Sequence, residues 1–302
     1  MINTQLVNNK FNWIKVENPD EKDRAKLRNN YQIRQDILDY AMDIHERPRI
    51  EVDEEKNYRL FIYDAPIHPR FKGDISVEPI GLLITDDTLF TFTRKRTAYV
   101  VPLINGILQN PNIKDPTFIF DLILETLFQI TTKFFDFINN ANRERTDIQT
   151  HLTHQANRDS INQLLGLQTK TVYFLTALTA NSEMLSTVQR LFKNQFTDFQ
   201  AARIEDIIIE ANQGLSMAQV SSSVTREVAD AYSNLLDSNL NSTMKFLTIF
   251  SLILSVPNIV FAFYGMNVNL PFASSHMGWV ITLFISIILC IIVWIFYHRH
   301  FS

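Results

Sequence analysis

Nine residues on one helical face give this chain its most suggestive chemistry. Asp230, Asp237, Met244, Ser251 and Asn258 recur every seven residues, and Asn234, Asn241, Thr248 and Ser255 interleave with them. Apart from Met244 the set is polar, made of carboxylate, amide and hydroxyl groups. The later members lie inside a long apolar run. Polar side chains turned towards lipid are costly, so the stripe either lines a water-filled path or hydrogen-bonds to neighbouring helices.

Other chemistries are poorly represented. There is no Gly-x-x-x-x-Gly-Lys-Ser/Thr loop and no nucleophile elbow, and no enzyme is expected. The seven histidines are scattered; His151 and His154 lie three apart and could share a helix face towards a transition metal. The single cysteine, Cys290, excludes an intramolecular disulfide. A net charge of −4 argues against nucleic acid as a partner. Residues 1–30 are polar and read as no signal peptide.

The elements that must position the stripe follow from a division of charge along the chain. From Phe246 to His298 there are 53 residues without Asp, Glu, Lys or Arg. Two apolar runs, Phe246–Phe263 and Trp279–Tyr297, have 18 and 19 residues. At about 1.5 Å per residue each crosses roughly 30 Å of hydrocarbon. Lys245 flanks the first span and Arg299 the second, while the connection 264–278 has no Lys or Arg. Both termini are therefore expected in the cytoplasm and the loop outside. Tyr264, Trp279, Trp294 and Tyr297 fall where interfacial aromatic belts belong. Pro257 marks either a fixed bend or a gate hinge in the first span.

Three regions are expected: a cytosolic α/β domain over 1–116, a long-helix stalk over 117–245 and a membrane region over 246–302. The first carries strand signals at Trp13–Val16, Tyr58–Tyr63, Ile80–Thr85, Leu89–Thr93 and Ala98–Pro102, with Asp86–Asp87 as a hairpin turn. Helices are expected over Glu21–Asn29 and Arg34–His45, then over Thr117–Thr153, Ser160–Phe192 and from Gln200 into the first span. In the last of these, Ile204, Ile208, Ala211, Leu215, Ala218, Ser222, Thr225, Ala229, Tyr232 and Leu236 alternate four and three residues apart. So long a heptad seam implies partners, and hence a homo-oligomer.

Tyr264-Gly265-Met266-Asn267 closes the first span, after a Pro257-containing helix and a long stalk. This arrangement resembles the CorA family of magnesium and cobalt transporters, whose signature is Gly-Met-Asn at this point. Met244-Lys245-Phe246-Leu247-Thr248, His45-Glu46-Arg47-Pro48-Arg49-Ile50-Glu51 and Leu83-Ile84-Thr85-Asp86-Asp87 resemble the family as well, so the likeness covers most of the chain. It implies a homopentameric membrane channel for hydrated Mg2+, with a cytosolic α/β domain, a funnel of long helices and two C-terminal transmembrane helices, the second facing lipid. Gly265, Met266 and Asn267 would form the outer mouth, with Asn267 giving a ring of amide oxygens. Met244 and Leu247 would be the hydrophobic constriction. Asn241, Ser251, Ser255 and Asn258 would line the pore, with Asp230 a deeper acidic ring. The family often carries Thr at the position of Asn258, and acids in the outer loop that are absent from 268–278 here.

The resemblance also implies a brake, Mg2+ bound between cytosolic domains. Asp206 falls at a sensing position, or is a solvated surface acid; its partner would be Asp39, Tyr40 or Asp43. The competing readings are a zinc or broader Co2+/Ni2+ transporter of the same superfamily, and a membrane-anchored coiled-coil scaffold that conducts nothing.

Overall fold

The computed structural model describes residues 2–7, 11–55, 57–67, 76–109, 119–154, 158–266 and 278–301. It divides into two compact units, Met1–Asp230 and Ala231–Ser302.

In the first unit six strands form one sheet in the order β1-β2-β6-β5-β4-β3, with β1 Ile2–Val7, β2 Phe11–Glu17, β3 Arg49–Asp53, β4 Tyr58–Pro66, β5 Val77–Thr85 and β6 Thr88–Thr93. Neighbours are antiparallel except β2 and β6. Both faces are covered, which explains why the central strands are apolar nearly throughout rather than alternating. Trp13, Phe61, Tyr63, Leu82 and Leu89 pack with α3 (Val100–Gln109), α4 (Ile119–His154) and α5 (Arg158–Phe192). Ile14, Leu60, Ile62, Phe90 and Phe92 pack with α1 (Glu21–Tyr31) and α2 (Gln35–Met42) on the other face. Gly81 lets α2 come close: a Cβ there would meet Phe92 Cβ at 3.3 Å and Ala41 Cβ at 3.4 Å.

Asp86–Asp87 is the expected hairpin turn. Thr85 pairs with Thr88 across it, and Asp86 takes a φ of 40°, tolerated because a short acidic side chain fits the left-handed region. Ala98–Pro102 is not a strand. Thr97 accepts from the Val100 N–H at 3.0 Å, and α3 starts there with Val100, Val101, Ile104 and Ile107 buried. A short apolar run fits either element, and Pro102 falls in the first helical turn, where a missing N–H costs nothing. Strands β1 and β3 complete the edges of the sheet without having been expected.

The helical part of this unit shares the sheet's core. Tyr63 and Thr131 hydroxyls join β4 to α4 at 2.6 Å, and the buried Asn181 amide on α5 pairs with the Asp64 N–H and C=O, both at 2.9 Å. Helix α6 (Asp198–Tyr264) begins here. Ile204, Ile207, Ala211 and Ala218 belong to the same core as α4 and α5. Gln200 donates to Asp121 at 2.6 Å, Ser221 to Asn142 at 2.8 Å, and Arg203 pairs with Glu125 while stacking over Phe128. The heptad seam is therefore covered from within the chain through Ala229. It carries no argument for a second copy, because heptad spacing reports a helix–helix contact and is silent on which chain supplies the partner.

The second unit contains the rest of α6 and α7 (Gly278–Phe301). Their most apolar 18-residue windows are only 6% and 11% buried. Phe246, Ile259, Trp279 and Phe284 are all exposed. Core helices of a soluble protein would be covered; these two present apolar surface outward on a scale water does not tolerate.

Candidate functional site

The site is built on α6 within the second unit. One face of this helix is sheltered: Ile249, Ile253, Val256, Pro257 and Val260 are half-buried or buried. The sheltered face of α7 carries Thr282, Ser286 and Cys290 at four-residue spacing. The two meet where Cys290 Sγ donates to the Ile253 carbonyl at 3.6 Å. At about 100° per residue, Thr248, Ser251, Ser255 and Asn258 lie roughly opposite Ile253, Pro257 and Val260. All four are exposed, as are Asp237, Asn241, Met244 and Leu247 on the N-terminal continuation of that side. One helix thus turns apolar groups to its neighbour in the chain and oxygens to the far side.

Two hydroxyls of the stripe are locally satisfied. Thr248 donates to the Met244 carbonyl at 2.9 Å and Ser255 to that of Ser251 at 2.8 Å. Their lone pairs remain free to accept. The Asn241 and Asn258 amides have no hydrogen-bond partner among the described residues, so they hold both donor and acceptor capacity. Asp230 is exposed and stands at the end of the first unit.

At the end of α6 the Gly265 N–H bonds to the Phe261 carbonyl at 2.8 Å and the Met266 N–H to that of Phe263 at 3.4 Å. A Cβ at Gly265 would sit 3.2 Å from the Phe261 oxygen, so glycine lets the chain leave the helix without crowding its last carbonyls. Met266 is exposed. Asn267 and the rest of the loop to 277 lie outside the described residues.

The acids expected to sense cytosolic metal are not brought together within one chain. Asp206 is exposed and paired with Arg203 at 3.6 Å. Asp39 accepts from Arg24 and from Gln35 at 2.9 Å, and Asp43 accepts from the His45 N–H at 2.9 Å. Among the described residues no group of three His, Cys, Asp or Glu converges as a metal site. His151 and His154 fall at the end of α4, with side chains outside the described ones.

Two acids not singled out in the sequence are pushed upward by burial. Asp64, on β4, borders a cavity of about 470 Å³ with Glu78 on β5, and burial pushes its carboxyl up to about 7. Burial raises Glu78 too, opposed by the positive charges of Arg96 and Arg94. Single strand positions carry no periodic signal of their own. The α7 residues were discoverable: Thr282, Ser286 and Cys290 are the small or polar positions of an otherwise bulky helix.

The family model for the CorA-like Mg2+ transporter protein matches residues 8–299. The cobalt/magnesium transport protein CorA of Methanocaldococcus jannaschii is 27% identical over 291 residues, covering 94% of this chain and 89% of that one. The complete structure of the CorA magnesium transporter from the same organism superposes with a TM-score of 0.79 at 25% identity, covering 96% and 91%. The full-length CmaX protein shares the fold, with a TM-score of 0.73 at 15% identity and coverage of 96% and 88%.

Proposed function

The chain belongs to the CorA-like Mg2+ transporter family, and from that premise we propose that it is a membrane channel for hydrated divalent cations, Mg2+ foremost and Co2+ with it. The observation that carries this reading is the opposition on α6 between the face covered by α7 and the stripe Met244–Ser251–Ser255–Asn258. A homo-oligomer, five copies by the family resemblance, turns these stripes inward around a water-filled path. The apolar outer surfaces of α6 and α7 then meet lipid.

Along that path Asp230 gathers cations on the cytosolic side, Met244 and Leu247 form an apolar constriction, and Ser251, Ser255 and Asn258 bond to the ion's water shell. Gly265, Met266 and Asn267 form the mouth. Mg2+ gives up water reluctantly, so amide and hydroxyl oxygens that bond to its hydration shell suit passage better than carboxylates, which would delay exit. Uptake is passive. A charge crossing 100 mV gains about 2.3 kcal/mol, and a divalent ion roughly twice that, into a cell negative inside. The flanking Lys245 and Arg299 support cytoplasmic termini.

Mg2+ held between copies closes the path, with Asp206 of one copy and Asp39 or Asp43 of the next. Asp206 is exposed and, among the described residues, paired with Arg203 alone, which suits it to this role. Asp39 and Asp43 each accept through Oδ1, from Arg24 and Gln35 and from the His45 N–H respectively, and a carboxylate so engaged keeps lone pairs for a cation.

The test is cation influx into proteoliposomes with an inside-negative potential. Wild type is expected to pass Mg2+ and Co2+; Asn267→Ala is expected to lose influx, and Asp206→Ala to keep current at internal Mg2+ that silences wild type. Wild-type vesicles that pass Zn2+ but not Mg2+ would replace the ion, and vesicles that pass no divalent cation would overturn the reading.

A further inference from the structure

Pro257 interrupts the hydrogen-bond ladder of α6. It brings no N–H to the carbonyl one turn back, that of Ile253. In hydrocarbon such a carbonyl must find another donor or remain at a cost. The donor is the Cys290 thiol on α7, 3.6 Å from the Ile253 oxygen. The other polar hydrogens on this face of α7 are spent inside α7: Thr282 donates to the Gly278 carbonyl at 2.8 Å and Ser286 to that of Thr282 at 3.0 Å. The carbonyl so held lies two residues before Ser255 and five before Asn258, in the segment whose far side carries the oxygen stripe.

We propose that Cys290 is a positioning residue for the ion path: its thiol takes the place of the N–H that Pro257 lacks and so fixes the angle at which Ser255 and Asn258 face the path. The inference rests on the function proposed above. With the thiol in place, the ladder break is sealed towards α7, and the Ile253 carbonyl is not drawn towards water or a neighbouring copy. Removing the donor frees that carbonyl and loosens the turn that carries Ser255 and Asn258. A packing role for Cys290 would depend on its volume; this role depends on its hydrogen.

Two measurements on the full-length protein in lipid test the proposal. The chain has one cysteine, so the infrared S–H stretch is a single band. It is expected at lower frequency than that of a free alkanethiol in hydrocarbon, as a donating thiol requires; a band at the free position overturns the contact whether or not any ion is passed. In proteoliposomes, Cys290→Ser, which keeps a donor, is expected to retain the wild-type ratio of Co2+ to Mg2+ influx. Cys290→Val, similar in volume without a donor, is expected to shift that ratio by about two- to fivefold, the range of a weak hydrogen bond. In a Pro257→Ala background, where residue 257 again supplies an N–H, Cys290→Val is expected to change nothing. Equal effects of Cys290→Val in both backgrounds would assign Cys290 to packing and sink the proposal. If Pro257→Ala passes no ions, the infrared band and the Ser-against-Val contrast decide it. Wild-type vesicles that pass no divalent cation would instead remove the channel reading and leave the infrared result standing.

Discussion

The two units of this chain treat the same helix in opposite ways. Within Met1–Asp230, one face of α6 is packed into the unit's core. Ile204, Ile207, Ala211 and Ala218 are buried among α4 and α5, and Arg203, Gln200 and Ser221 each find partners on α4. Within Ala231–Ser302 the helix is open on most sides. Phe246, Leu247, Phe250 and Ile259 are exposed, and the Asn241 and Asn258 amides have no partner among the described residues. A segment with both apolar and polar groups unmet needs two further environments at once, lipid for the first and water or other copies for the second. The first unit leaves only scattered apolar side chains of α6 exposed, Phe199, Ile209 and Val220, so the case for the membrane rests on the second.

The sharpest way to break this contrast is to make one substitution at two places on α6. Ile207 is 0% exposed and Ile259 is 68% exposed. Ile207→Ala is expected to cost about 2–5 kcal/mol, through lost burial and the cavity left behind. Ile259→Ala is expected to leave the unfolding midpoint in detergent nearly unchanged, because its side chain exchanges one apolar neighbour for another. Thermal unfolding of the two variants checks both. Equal losses would mean that Ile259 is buried against a second protein surface and that the openness of the second unit is smaller than it looks in one chain.

What could be read in advance follows the same division. The spans were legible because charge is absent over 53 residues, a signal that no local ambiguity disturbs. The β5–β6 hairpin was legible because Asp86–Asp87 sits between two apolar runs. The edge strands were not: Ile2–Val7 and Arg49–Asp53 are short and largely polar, and their pairing is a tertiary event. Ala98–Pro102 misled because five mostly apolar residues have no period long enough to separate helix from strand. The seam on α6 was legible as a contact, but its partner was supplied by α4 and α5 rather than by a second copy. The oxygen stripe stood out because polar residues are rare in its surroundings. The meeting of Cys290 with Ile253 depends on the register of two helices, which neither helix states alone.

A second contrast lies inside the first unit, where most charges are exposed or paired, while Asp64 is half-buried beside a cavity with no side-chain ion pair among the described residues. Burial pushes it to about 7 from 3.8. In the unfolded chain the group ionises near pH 4, so between about pH 4 and 7 the unfolded state has released a proton that the folded state keeps. Stability is therefore expected to fall as pH rises through that window and to level off above it. Asp64→Asn removes the charge while keeping the shape. It is expected to stabilise the protein by about 2–4 kcal/mol at pH 8 and by almost nothing near pH 4. Unfolding midpoints at the two pH values check this. A gain of equal size at both would assign the effect to the amide's hydrogen bonds and not to the buried charge.

The smallest expected effect bears on how the stripe in the second unit is used. Asn258 could serve other copies, as a hydrogen-bonding group between helices, or the ion, as an oxygen facing its water shell. Both uses satisfy an otherwise unmet amide, but they fail differently. Asn258→Leu keeps the bulk and removes the polar atoms. If the amide faces the path, the oligomer is expected to survive purification intact while Mg2+ influx falls by about tenfold or more, as for the loss of a hydrogen bond to a charged group. If the amide joins copies, the oligomer is expected to dissociate in detergent and flux to fall with it. Asn258→Thr separates the cases further. A hydroxyl still offers an oxygen to a hydrated ion but reaches less far across a helix–helix gap, so influx with an altered ratio of Co2+ to Mg2+ favours the path. The oxygen side of α6 then belongs to the ion and its water, and the copies must be held together by the apolar residues that flank it.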